Sequence, residues 1–199
     1  MAQNRKMGRP LGFAENEALE AAMKVFWEKG FEGSTLADLT EAMGINRSSM
    51  YATFGGKEAL FRLAIARYAE GPAAYVRVAL EQPTVRGVVE ALLRGALKLL
   101  GDPSHPRGCL TVQGALACGS DAEPMKQALI DWRMQGESEI QKRMQRARRE
   151  GDLAKDVDPG DLARYISTVL TGMAIQAANG STRAEMTRLV EFVLRSAPL

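Results

Sequence analysis

Residues 44–57, GINRSSMYATFGGK, hold two cations, Arg47 and Lys57, four hydroxyl side chains and no carboxylate. Asn46 is a good helix N-cap residue, so Arg47, Ser48 and Ser49 fall in the first turn of a helix. Tyr51 follows one turn after Arg47 on a similar face. Guanidinium and hydroxyl groups at an exposed helix start can hydrogen-bond to base edges in the major groove of DNA. Lys57, together with the N-terminus of the helix it opens, can hold a phosphate. From these residues alone, a solvated helix start with Tyr51 in the core is an equally good reading. Net charge does not decide between them. The chain carries +2 overall, and residues 1–60 hold seven basic groups against eight acidic ones. Three of those basic groups, Arg5, Lys6 and Arg9, lie in an N-terminal arm and two frame residues 44–57, while the acids crowd residues 15–41. Local rather than net charge would face phosphates.

Enzymatic signatures are absent. The one histidine, His105, rules out a His-Glu-x-x-His metal site and any multi-histidine cluster, and no glycine-rich phosphate loop follows a strand. We therefore expect no catalytic residue, metal or cofactor, and we read His105, set between Pro103 and Pro106, as a solvated loop residue. Cys109 is different. In PRGCLTVQGALAC it stands at an expected helix N-terminus two residues after Arg107, and both features stabilise a thiolate. Cys118 lies nine positions on, about 13 Å along a straight helix, too far for a direct disulfide. The competing reading makes both cysteines small buried hydrophobes. Two cysteines in 199 residues form no disulfide framework, so a reducing, cytoplasmic setting is expected. No apolar run approaches the roughly 18–20 residues of a membrane helix, and the segment MGRPLGFAEN lacks the apolar stretch of a signal peptide, so it is expected to be a basic arm and not a leader.

The elements that position these groups read as helices throughout. Leu19, Ala22, Met23, Phe26 and Trp27 make an apolar stripe over 15–29, with Gly30 as a left-handed stop. Ser34 or Thr35 caps the next helix, with Asp38 as capping-box partner and Gly44 at its end. A three-residue turn then leads to the helix capped by Asn46, with Ile45, Met50 and Phe54 turned inward. Helix, short glycine-containing turn, helix is the helix-turn-helix pattern. Lys57 opens a helix bearing Leu60, Phe61, Ala64, Ile65 and Tyr68, broken at Gly71-Pro72. Further helices are expected over 84–100, over 108–118, from a Ser120/Glu123 capping box to Glu150, from Asp158-Pro159 to Gly180, and after a Thr182/Glu185 box. No strand pattern survives, so the fold class is all-α. The run from Lys142 to Arg149 is read as a solvated face.

The segment GFEGSTLADLTEAMGINRSSMYATFGGKEALF resembles the DNA-binding domain of TetR/AcrR-type transcriptional regulators, in a match that covers residues 13–68. That family joins a Gly-Phe/Tyr-x-x-Thr helix start, a Gly-Val/Ile turn, a recognition helix ending in Tyr-x-x-Phe and a lysine shortly after. The resemblance implies that Arg47, Ser48, Ser49 and Tyr51 face DNA, that Thr35 and Lys57 hold phosphates, and that Arg5, Lys6 and Arg9 reach the minor groove. Thr53 stands where the family often has His or Tyr, as a further candidate contact. It implies a flexible arm over 1–12, a helix-turn-helix domain over 13–56 and a helical ligand-binding and dimerisation domain over 57–199. The expected partners are a double-stranded palindromic operator, a second copy of the chain and a small-molecule inducer or electrophile. Gln113 and Trp132 fall where the family places ligand pockets, and some relatives with a similar Gly-Cys-Leu-Thr segment sense electrophiles or oxidants. Leu162, Ile166, Val169, Met173 and Ile175, interleaved with small residues, suit a dimer helix, with Leu189, Val190 and Val193 on the last helix. The rival expectation, from another class, is an all-α small-molecule binding or carrier protein with a vestigial DNA module.

Overall fold

The computed structural model describes residues 11–116 and 122–197. Arg5, Lys6 and Arg9, as well as Cys118 and Ser120, lie outside them. Every regular element among the described residues is helical: α1 (Leu11–Gly33), α2 (Leu36–Met43), α3 (Arg47–Phe54), α4 (Lys57–Glu70), α5 (Tyr75–Leu80), α6 (Val85–Leu100), α7 (Leu110–Leu116), α8 (Glu123–Glu150), α9 (Pro159–Ala178) and α10 (Arg183–Ser196).

Local chemistry explains most of the boundaries. Thr35 and Asp38 close a reciprocal capping box on α2, and Gly44 ends that helix in the left-handed region at φ 65. Asn46 caps α3, accepting the Ser49 N–H at 2.8 Å, and Thr182 with Glu185 forms a second capping box on α10. Gly30 stops the first stretch of α1, as expected after the apolar stripe: at φ/ψ 70/178 it breaks the helix, and a short second stretch runs on to Gly33. The Ser34 hydroxyl donates to the Gly30 carbonyl at 2.6 Å and so satisfies a group the kink releases. Ser120 of the expected α8 capping box lies outside the described residues, and the helix itself opens at Glu123. Ala122 precedes it without a side-chain cap, and Pro124 sits in the first turn, where no N–H is needed. Residues 72–83, read only as a break, contain the short α5.

Two buried clusters organise the chain. One joins α1 to α4 through Phe26, Trp27, Leu39, Met50, Phe61 and neighbours, and draws in Leu110 from the start of α7 and Met125 and Leu129 from the start of α8. The other packs α6, the rest of α8, α9 and α10 around Leu92, Met144, Ile166, Met173 and Val190. The side chains of α4 that enter the first cluster include Leu60, Phe61, Ala64 and Ile65, so its packing runs across residue 57. α8, about 42 Å long at 1.5 Å per residue, contributes to both.

The run after Lys142 is not uniformly solvated, because Arg143 is buried. Its guanidinium donates to the carbonyls of Leu80 (3.2 Å), Gln82 (2.7 Å) and Pro83 (3.1 Å), closing the end of α5 onto α8. Removing it would leave three carbonyls near a void. Arg143→Ala is expected to lower unfolding free energy by about 1.5–3 kcal/mol, the range for hydrogen bonds to a charged group. Urea denaturation checks this, and a loss below about 0.5 kcal/mol would show that the clamp is dispensable.

Candidate nucleic-acid interface

α2, the Gly44–Asn46 turn and α3 form a helix-turn-helix whose inner face is fixed by Leu39, Met43, Met50 and Phe54. Because these residues anchor one side, the other side of α3 is left outward. Arg47, Ser48, Tyr51 and Thr53 are exposed, and Ser49 is half-buried. Tyr51 is 50% exposed, which settles the competing reading against a core role. Its ring lies over the backbone of Gly56, where an added Cβ would stand 3.3 Å from Cε1. The phenol is thus braced against the α3–α4 turn.

Thr35 is exposed, but its hydroxyl hydrogen is engaged. It donates to Asp38 Oδ2 at 2.7 Å and accepts the Asp38 N–H at 3.0 Å. Asp38 also receives the Lys29 ammonium at 2.7 Å. That ammonium, followed by the Thr35 N–H and hydroxyl, holds the Asp38 carboxyl well below the usual carboxylate range. The same carboxylate raises Lys29 above its ordinary value. Lys29 therefore ties the end of α1 to the start of α2, a role that its place in a mixed-charge stretch did not reveal. Lys57 opens α4 with its Nζ 4.5 Å from the centroid of the Phe31 ring, a cation–π contact. Burial pulls its pKa down, and Glu32 opposes that shift. Phe31 in turn packs between Phe26 and Phe61, at ring-centroid distances of 6.3 and 5.2 Å.

Beyond this face, an apolar cavity of about 130 Å3 opens between α4, α5, α8 and α9. Cys109 and Trp132 line it. Gln113 does not: its side chain folds over Gly108, and its Oε1 is buried without a hydrogen-bond partner. Cys109 is the residue before α7, and its carbonyl accepts the N–H of Gln113 at 3.0 Å. Its Sγ receives the Tyr68 hydroxyl at 3.2 Å and lies 3.2 Å from Thr111 Oγ1. Arg107, expected beside the thiol, instead points its guanidinium toward Gly180. Burial, and then Cys109, push the Tyr68 hydroxyl well above the ordinary tyrosine range, so it stays protonated as a donor.

Tyr68 also links the cavity to the DNA-facing half. Its ring meets Trp27 edge-on at 4.9 Å, and the Trp27 indole N–H donates to the Gly108 carbonyl at 3.2 Å. His105 is stacked on the same indole at 5.2 Å and 19°. It is a packed residue and not a solvated one, because the loop folds back onto α1. Tyr68 was read from the sequence only as a core position, and nothing in its spacing showed a sulfur partner 41 residues away. No group of His, Cys, Asp or Glu among the described residues could hold a metal ion, and no helix among them is long and apolar enough to cross a membrane.

Residues 18–64 match the family model for bacterial regulatory proteins of the tetR family, and residues 86–193 match that of the tetracyclin repressor-like C-terminal domain. The chain is 28% identical to the HTH-type transcriptional repressor ComR of Escherichia coli (strain K12), over 98% of this chain and 93% of ComR. It is 31% identical to the uncharacterized HTH-type transcriptional regulator YezE of Bacillus subtilis (strain 168), over 94% of this chain and 96% of YezE. Among solved structures, a cysteine mutant of the TetR family transcriptional regulator CifR, complexed with 26bp double-strand operator DNA, is similar at a TM-score of 0.89 and 40% identity. That similarity covers 95% of this chain and 99% of the CifR chain. The chain belongs to the TetR family of DNA-binding transcriptional regulators, which are not enzymes.

The Asp38 network makes a prediction about acid. A carboxyl whose folded pKa is depressed stabilises the fold above its unfolded value, about 3.9, and that contribution is lost as pH falls through the folded value. The difference in urea midpoint between wild type and Asp38→Asn is expected to be largest above pH 4 and to narrow toward pH 2. A difference that stays constant over that window would show that the carboxylate charge does not hold the cap.

Proposed function

We propose that this protein is a homodimeric transcriptional repressor that binds a palindromic operator in the cytoplasm and releases it when a small molecule or thiol-reactive compound occupies the cavity. The observation that carries DNA binding is the outward face of α3: a guanidinium, hydroxyls and a phenol stand exposed on a helix whose other side is anchored in the core. Arg47, Ser48, Ser49, Tyr51 and Thr53 are the groups that meet DNA, with Lys57 at a phosphate. Thr35 acts chiefly by shaping the α2 N-terminus, since its hydroxyl hydrogen is committed to Asp38. Arg5, Lys6 and Arg9, in the arm over 1–12, supply the minor-groove contacts. The helix-turn-helix unit spans 13–56, and the regulatory and dimerising part spans 57–199.

Support for the dimer comes from α9 and α10. Tyr165 (39% exposed), Ile175 (38%) and Phe192 (62%) are large apolar side chains left in solvent, and an added Cβ at Gly172 would meet nothing. Such a face is costly on a monomer and is covered by a second copy. Support for the effector comes from the Cys109–Tyr68–Trp27 chain of contacts, through which a change at the cavity wall reaches α1. Release requires an effector that binds the non-DNA-binding state more tightly, and couplings of about 1–3 kcal/mol are typical.

The test of DNA binding is selection of bound sequences from random DNA, followed by footprinting. Half-sites with centres one helical turn or a small multiple apart, about 34–36 Å per turn, are expected. A failure to retain any DNA would leave the carrier protein as the better account. On the selected site, Arg47→Ala should cost about 1–3 kcal/mol and relax preference at one base pair per half-site. Lys57→Ala should weaken selected and random DNA alike and lower the salt slope by about one. Exchange of these two signatures would exchange the two roles.

The thiol has its own test. After treatment with a small alkylating agent, wild type should release DNA, whereas Cys109→Ser should retain it. Release by the Cys109→Ser protein would take the switch away from Cys109, and the same test on Cys109→Ser/Cys118→Ser would then divide Cys118 from non-covalent occupancy.

A further inference from the structure

The cavity is built for one kind of molecule. At about 130 Å3 it is slightly smaller than the engineered cavity of about 150 Å3 that holds benzene. Its walls are dominated by the rings of Tyr68, Tyr75 and Trp132 and by aliphatic side chains such as Leu99, Ile140 and Leu170. Two charged side chains reach it, and both have partners. Arg133 donates to the Thr111 carbonyl at 2.6 Å, and the Glu137 carboxylate faces Arg164 at 3.5 Å. An anion could be drawn only to Arg133 and a cation only to Glu137, and either would have to take that group from the partner it already holds while giving up its own hydration among walls that are otherwise apolar.

The uncommitted polar groups are neutral hydroxyls. Tyr68 and Thr111 are spent on the Cys109 sulfur, but Tyr75 from α5 and Ser167 and Thr171 from α9 line the cavity without such a bond. Burial and the nearby Cys109 raise Tyr75 well above the ordinary tyrosine range, so its hydroxyl stays a donor. Tyr75 is also held in place: its ring lies against Gly95 of α6, where any Cβ would stand 2.2 Å from Cδ2. A residue larger than glycine there would push the ring into the cavity.

We propose that the effector is a small uncharged molecule of about single-ring size, with an apolar body and one oxygen that accepts a hydrogen bond from Tyr75. This rests on the cavity being the effector site and names the chemical class that fits it. Four probes of similar size separate the alternatives: phenol, toluene, benzoate and benzylammonium, with naphthol as a larger one. Binding is read from the tryptophan fluorescence of the wild-type protein, to which Trp132 in the cavity wall contributes, and independently from the shift in its thermal midpoint.

Phenol is expected to bind tightest, at least about tenfold above benzoate and benzylammonium. Tyr75→Phe should weaken phenol about fivefold, the worth of one neutral hydrogen bond, and leave toluene unchanged. Gly95→Ala should weaken phenol and toluene together. Benzoate or benzylammonium binding as well as phenol, naphthol binding better, or no response to phenol by either readout would overturn the assignment. A phenol affinity indifferent to Tyr75→Phe would remove the donor and overturn it too. Mobility shift of the selected DNA with phenol keeps the two proposals apart. Phenol that binds without releasing DNA supports the ligand class and counts against the cavity as the switch, whereas release with no change in tryptophan fluorescence overturns the class.

Discussion

The indole of Trp27 is the contact on which both halves of the molecule depend. Its side chain is fully buried in α1, its N–H is satisfied by the Gly108 carbonyl, His105 is stacked on it and Tyr68 meets it edge-on. A buried indole N–H without a partner is penalised, so the loop carrying Gly108 must stay where α1 needs it. That loop also delivers Cys109 to the cavity wall. The position of α1, and with it the helix-turn-helix packed on α1, is therefore coupled to the geometry around the sulfur by close packing rather than by a flexible linker.

Around the DNA-facing half, electrostatics are arranged by short-range bonds and not by bulk charge. The first sixty residues carry a slight excess of acids, yet the acid nearest the α2 N-terminus, Asp38, is neutralised by Lys29 and by the peptide and hydroxyl groups of Thr35. A carboxylate held in this way stabilises the helix start without presenting a free negative charge to a phosphate. Lys57 is handled similarly: the Phe31 ring holds its ammonium at the start of α4, so its position is set by a short-range contact and not by bulk charge.

α9 serves two masters on opposite faces. Ser167, Leu170, Thr171 and Ala174 recur at helical spacing along the cavity, while Tyr165, Val169, Gly172 and Ile175 form a stripe on the far side. One helix thus carries both a wall of the cavity and a partly exposed apolar stripe. Because a helix moves much as a rigid rod, a shift of that wall would carry the stripe with it.

The sequence by itself determined the elements whose causes are local. Capping residues, left-handed glycines and the 3.6-residue stripe act within one or two turns, so Thr35 with Asp38, Gly44, Asn46 and the Thr182/Glu185 box were legible, as was the inward side of α3. The segment from Gly30 to Phe61 was also distinctive enough to carry the family. What only the tertiary structure decided are contacts between residues far apart in the chain. His105 against Trp27, the Tyr68 hydroxyl on Cys109, Arg143 on the α5 carbonyls and Gln113 turned away from the cavity each depend on where a loop or neighbouring helix comes to rest. The short α5 belongs with them, because six residues are too few to hold a helix by propensity and need the packing of α6 and the guanidinium of Arg143. Periodicity fixes which side of a helix is apolar, but it carries no information on which apolar sides meet.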